Sequence, residues 1–204
     1  MTDSLHYGII GNCRSAALVS REGSIDWCCL PEFDSTSVFA KLLDDEIGGS
    51  FEILVDKSYT TSQAYIENTC ILVTKFSNGR DTFEVHDFMP RYYKYNGAYH
   101  SPPEIIRYIK HISGKPVFKT VYNPKLEYAK GETTTYIKKD FIVSLTYGEK
   151  FDTLFLYTNF NKEKIAHGEE ITLTRNGYFL IGYNEKIFEP TVENIFLEHQ
   201  RTNF

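Results

Sequence analysis

The chain has 204 residues, 42% of them hydrophobic and 24% charged, an ordinary globular mix that allows a sizeable core in one large domain or two small ones. The net charge is −5 with no basic stripe, which argues against nucleic acid, because phosphate binding needs clustered Lys and Arg. No apolar run is long enough to span a membrane, and the opening MTDSLHYGIIGNCRSAALVS lacks the basic-then-apolar order of a secretory signal.

In chain order, short alternating or apolar runs are separated by turn residues, the pattern of an antiparallel all-β fold. Segments 16–20 and 24–30 form the first predicted hairpin, with Gly23 free to take the positive φ of a tight turn. A helix is expected over 35–44, where Val38, Phe39, Leu42 and Leu43 share one helical stripe behind Asp34 or Ser35 as cap. A strand at 51–55 follows the breaker Gly48-Gly49. Strands 65–76 and 82–88 flank Ser77-Asn78-Gly79-Arg80, whose Asn-Gly pair is a strong hairpin signal. The stretch YYKYNGAYHSPP, 92–103, reads as a long exposed loop. Further strands are expected at 105–113, 117–122, 133–138, 141–147, 151–158, 170–174 and 178–182. The last segment, PTVENIFLEHQRTNF, places Val192, Ile195, Phe196 and His199 at helical spacing. An amphipathic helix there needs a surface to pack on, either this domain's own sheet or a neighbouring domain. About a dozen strands without βαβ alternation suit a large antiparallel sandwich.

The four cysteines, Cys13, Cys28, Cys29 and Cys70, show no metal spacing. Cys28 and Cys29 are strand neighbours that point to opposite faces, so reduced thiols in a cytoplasmic chain are expected. No GxSxG elbow, phosphate loop, dinucleotide fingerprint or histidine metal pair is present, and no cofactor or metal is expected. Two clusters carry polar and aromatic side chains close together in sequence. One spans Asn12, Arg14, Asp26, Trp27, Glu32 and Asp34; the other is the strand end VHDFMPR with Asp87 and Arg91. Such residues could stack on and hydrogen-bond a sugar, or tie strand ends and loops together. Composition alone favours the second use.

The long run IIGNCRSAALVSREGSIDWCCLPEFDSTSVFAKLLDDEIGGSFEI resembles the beginning of bacterial and archaeal glycoside hydrolase family 15 proteins, the glucoamylase, glucodextranase and trehalase group. The similarity is dense over 7–55 and resumes at VHDFMPR, 85–91. It is weaker at Arg107, Gly114-Lys115-Pro116-Val117 and NPKLEYAKG, 123–131. The resemblance implies an N-terminal β-sandwich of the supersandwich type over 1–189. Residues 190–204 would begin a helical linker to an (α/α)6 barrel that carries both catalytic carboxylates of an inverting α-glucosidase. No catalytic residue is therefore expected in this chain. The implied partners are that barrel and an α-glucan or trehalose-type sugar. Asn12, Arg14, Asp26, Trp27, Asp34, Asp87 and Arg91 are the candidates for contact with barrel or sugar. Cys13, Cys28 and Glu32 depart from the residues more usual at those positions. A stand-alone carbohydrate-binding module and a pure scaffold are the competing readings.

Overall fold

The computed structural model describes residues 6–94, 97–146, 151–188 and 190–202. In chain order the first strands are β1 (Tyr7–Gly11), β2 (Ala16–Ser20), β3 (Ile25–Cys29), β4 (Ser37–Phe39), β5 (Ser50–Leu54), β6 (Thr60–Tyr65), β7 (Leu72–Ser77) and β8 (Thr82–Phe88). The short β9 (Tyr92–Tyr93) and β10 (Tyr99–His100) precede β11 (Glu104–Ser113), β12 (Val117–Asn123), β13 (Thr133–Ile137), β14 (Ile142–Thr146) and β15 (Thr153–Thr158). A 3-10 turn at Glu127–Ala129 precedes β13, and helix α1 (Lys162–Ala166), β16 (Ile171–Thr172), β17 (Gly177–Tyr183) and helix α2 (Val192–Thr202) follow β15.

One sheet runs β1-β2-β3-β5-β12-β16 with β4 on β3, and the second runs β13-β14-β15-β17-β11-β8-β7-β6. Every paired strand is antiparallel, as in β7 on β8 and β8 on β11, so the expected all-β sandwich is found. The two inner faces share one core that includes Phe51, Phe83, Phe118 and Phe179. Across the sandwich the rings of Phe51 and Phe179 are 5.2 Å apart and those of Phe83 and Phe118 5.5 Å apart. Each fully buried Phe contributes roughly 1.5–3 kcal/mol, so these four anchor the sheets to each other. Alternation decides the faces. On β8, Phe83 and Val85 point inward while Phe88 joins a second cluster; on β11, Ile105 and Ile109 point inward while Ile106 and Tyr108 join that cluster.

The second cluster is where α2 docks. Ile195 and His199 are buried there, at 2% and 6% exposure, and Ile195 packs in the same cluster as Ile106, Tyr108 and Tyr178. Thr191 caps the helix by accepting from the Asn194 amide through Oγ1 at 3.1 Å. The C-terminal segment therefore packs one face on this chain's own sheet, while Phe196 and Leu197 stay half-exposed.

Local structure departs from expectation at several places. Residues 35–44 are not a helix. Ser37–Phe39 pairs with β3, and the backbone then turns through 41–47, with the Gly48 carbonyl accepting from the Ala40 amide at 2.8 Å. The apolar stripe does not form one face, since Val38 and Phe39 are buried while Leu43 is 71% exposed; strand pairing outweighed the local periodicity. The strand expected over 65–76 is two strands, β6 and β7, folded back at Asn68, whose φ is +61°, a conformation that Asn tolerates. Within 92–103, β9 and β10 form a small hairpin. Strand β1 was missed, and so was α1, whose cap Asn161 accepts from the Glu163 and Lys164 amides at 2.9 and 3.2 Å. Residues 1–5, 95–96, 147–150, 189 and 203–204 lie outside the described residues; they include Tyr147 of an expected strand and the ends of both expected domains.

Candidate functional site

The predicted site residues divide by burial. Asp87 faces inward in phase with Phe83 and Val85, and its partner across the β8–β11 ladder is Arg107. Both side chains are fully buried. Arg107 donates to Asp87 from Nε at 2.8 Å and from Nη2 at 3.2 Å. Its remaining donors cross the sandwich: Nη1 reaches the Phe51 carbonyl at 2.7 Å and Nη2 the Gly23 carbonyl. The guanidinium carbon also sits 4.9 Å from the centre of the Phe51 ring. A sealed carboxylate cannot touch a sugar or another domain, so Asp87 has a different task from the one its sequence neighbours suggest. With Arg107 it ties the two sheets together through a planar, five-donor fork.

Asn12 is also buried, at 1% exposure. Its Oδ1 accepts from the Arg14 and Ser15 amides, each at 3.1 Å, and its Nδ2 donates to the Pro102 carbonyl at 2.8 Å. Ser101 Oγ returns a bond to the Asn12 carbonyl at 3.2 Å. The Phe33 amide donates to the Arg14 carbonyl at 3.1 Å, and Ser15 Oγ bonds the Cys29 carbonyl. Three loops, 11–15, 30–36 and 101–103, are thereby drawn to one end of the sandwich. Their outer rim presents Arg14, 3.5 Å from Glu32, together with exposed Phe33 and Asp34.

Asp26 and Trp27 do not join this rim. A strand rises about 3.3 Å per residue, so β3 carries Asp26 roughly 10 Å from Cys29 and back toward the turn at 21–24. Asp26 is buried and accepts from Tyr7 Oη at 2.9 Å and from Ser24 Oγ. Burial, followed by the Asp26 carboxylate, pushes the Tyr7 phenol up to about 12. Trp27 is half-buried in mid-strand opposite Leu18.

Arg91 adjoins the 11–15 loop across a cleft, its guanidinium 4.0 Å from the centre of the Tyr99 ring. Arg91 and Tyr99 border this cleft of about 630 Å³, which Tyr65, Tyr93, Cys13 and Cys70 also line. Tyr65 Oη is fixed by the Ile9 amide at 2.7 Å and the Ile9 carbonyl at 2.9 Å, which holds its half-exposed ring in place. This tyrosine wall was missed because its residues come from distant parts of the sequence; the density of Tyr in 92–99 was the available signal. Among the described residues no group of His, Cys, Asp and Glu could hold a metal ion, all four cysteines are free, and no helix is long and apolar enough to cross a membrane.

Residues 5–149 match the family model described as trehalase-like, N-terminal. The chain is 36% identical over 185 residues to a trehalase of Thermoplasma volcanium, covering 87% of this chain and 26% of that protein. It is 34% identical over 139 residues to trehalase 2 of Sulfolobus acidocaldarius, covering 68% of this chain and 22% of that one. With a trehalase of Thermoplasma acidophilum it shares 40% identity over 118 residues, 55% of this chain and 19% of the relative. The chain thus spans about a quarter or less of the length of these relatives. No solved structure matches it significantly.

Proposed function

Because the chain belongs to the trehalase-like N-terminal family, we propose that it is the non-catalytic sandwich domain of an inverting α-glucosidase of trehalase type. The observation that carries this reading is the match to an N-terminal family model, with similarity that covers 87% of this chain but 26% of a trehalase. Hydrolysis with inversion needs one carboxyl to protonate the leaving oxygen and another to activate water; both are assigned to the catalytic barrel of the longer protein. The relatives are all named trehalases, which favours the trehalose bond over starch or dextran. In this reading Arg14, Asp34 and Arg91 meet the barrel or the mouth of its active site, while Asn12, Asp26 and Asp87 hold the surface that carries them. Four free thiols favour a reducing, cytoplasmic setting.

The test uses the longer protein and the isolated chain side by side. Glucose release from trehalose is expected only from the longer protein. Arg14→Ala, Asp34→Ala and Arg91→Ala are expected to lower kcat/KM while leaving Tm within a degree or two. Glucose release by the 204-residue chain alone, or full activity in all three variants, would overturn the proposal. The cleft bordered by Arg91 and four tyrosines supports a second reading, a carbohydrate-binding module, because exposed aromatic rings stack on sugar faces. Calorimetry with trehalose and maltose separates the two: binding at millimolar Kd or tighter by the isolated chain supports the module.

A further inference from the structure

On the outward face of the second sheet, β8 places His86 opposite Tyr108 of β11, and α2 lays His199 over them. His86 Nδ1 and His199 Nε2 are 2.9 Å apart, and both side chains are buried, at 5% and 6% exposure. His86 Nε2 lies 3.1 Å from the Glu84 carboxylate, which Lys110 approaches at 3.6 Å. An ionised carboxylate only accepts, so Glu84 keeps the His86 proton on Nε2 and leaves Nδ1 as an acceptor. His199 must then donate from Nε2, and its own Nδ1 is left to accept from the Gln200 amide 3.5 Å away. The chain of bonds closes with both rings neutral. A proton added to His86 Nδ1 sets two donors against each other at 2.9 Å unless His199 moves its own proton to Nδ1, and once both rings are protonated no acceptor remains between them. A proton added to His199 Nδ1 places a charge among Phe88, Tyr108 and Phe196, whose ring centres lie 5.6, 5.9 and 6.5 Å from the imidazole.

We propose that the His86–His199 contact is an acid-sensitive latch, holding α2 on the sheet while both rings are neutral and loosening it when they are protonated. The net shift of both imidazoles is downward. Burial lowers both imidazoles from their ordinary value; for His199 it does so to about 4, reinforced by His86 and Lys110. Glu84 and, more weakly, Asp87 pull His86 the other way, and Lys110 adds to its lowering. A histidine lowered in the docked state supports docking fully above its free value of about 6.5 and loses that support as pH falls toward 4.

Two groups on the same contact, Glu104 and Glu198, act in opposition. Glu104, at the start of β11, is pushed up to about 7 by burial and then by Glu198 of α2 and Glu185. Acid therefore strengthens docking there. Glu198 itself is held by the Tyr92 hydroxyl at 3.1 Å and by Arg201 at 3.5 Å. Burial also raises Glu198; the Glu104→Gln chain removes the first of these titrations, and Glu198, common to both chains compared, cancels between them.

The experiment measures hydrogen-exchange protection of α2 amides, corrected for intrinsic rates, in Glu104→Gln and in Glu104→Gln/His199→Leu. Between pH 7 and pH 4.5 the first is expected to lose about 50-fold in α2 protection while the inner strands hold. The second should change by less than about threefold. Equal losses in both chains, or no loss in the first, overturn the latch. Imidazole NMR of the unmodified chain supplies a test that survives misfolding of the double variant. Two neutral rings at pH 6, with His86 protonated on Nε2, are required, and ordinary titration of either ring near 6.5 refutes the proposal.

Discussion

Removal of the buried carboxylate at Asp87 tests the central cross-tie of the sandwich. Asp87→Ala takes away two of the four hydrogen bonds of Arg107 and leaves a fully buried cation facing only the Phe51 and Gly23 carbonyls. Stranding one partner of a buried ion pair costs about 3–5 kcal/mol. For a chain of this size each kcal/mol lowers Tm by about 2–4 °C, so a fall of roughly 6–20 °C is expected. Arg107→Met removes all four bonds, two of them to the buried Phe51 and Gly23 backbone, at up to about 1–3 kcal/mol each. It also leaves Asp87 without its cation, so its cost should equal or exceed that of Asp87→Ala. Asp87→Ala combined with Arg107→Met has no unpaired charge, and should cost less than the two single changes together by more than about 1 kcal/mol. Urea unfolding followed through Trp27, the only tryptophan, measures all three. An Asp87→Ala cost below about 1 kcal/mol, or additive single costs, would refute the cross-tie.

Four other outcomes are expected. Asn12→Ala removes a side chain that joins two loops through the Arg14, Ser15 and Pro102 backbone; it should cost about 1–3 kcal/mol in thermal melts. Gly48→Ala would bring a Cβ within 2.2 Å of the Ala40 carbonyl oxygen, and a backbone clash of that kind should cost about 1–3 kcal/mol or more by chemical denaturation. Glu104 is raised to about 7 in the folded chain, so it favours folding when protonated and loses that contribution as pH rises from about 4.5 through 7. Glu104→Gln should accordingly flatten stability over that window by roughly 2–3 kcal/mol, read from urea midpoints at pH 5 and pH 8. Asn161→Ala leaves the first amides of α1 without their acceptor and should cost about 1 kcal/mol.

Much of the fold was legible because its signals are local. The Asn78-Gly79 hairpin formed between β7 and β8, with Asn78 Oδ1 accepting from the Arg80 and Asp81 amides at 3.1 and 2.7 Å. The Asn161 cap and Gly168, with a φ of +64°, announced α1 in the same currency of turn chemistry, although both went unused. Alternation was equally available. Asp87 is in phase with Phe83 and Val85, and Arg107 with Ile105 and Ile109, so both had to point into the core. What alternation could not say is that register sets them opposite each other, or that Arg107 reaches across to the Gly23 turn. The 35–44 stripe failed for the same reason, since pairing of Ser37–Phe39 with β3 is a long-range choice.

The polar-aromatic cluster of 12–34 shows the division most clearly. Its residue types, and the run that relates it to the trehalase-like family, were fixed by the sequence alone. Their separation was not: β3 takes Asp26 to one end of the sheet while Asn12, Arg14 and Ser15 gather three loops at the other. Neighbouring residues dictate turns, caps and which way a side chain faces, because those depend on φ, ψ and a period of two. Only strand pairing and the packing of two sheets decide which distant groups share a surface, and that is why the Arg107 tie, the tyrosine cleft and the histidine pair beneath α2 emerged from the tertiary structure.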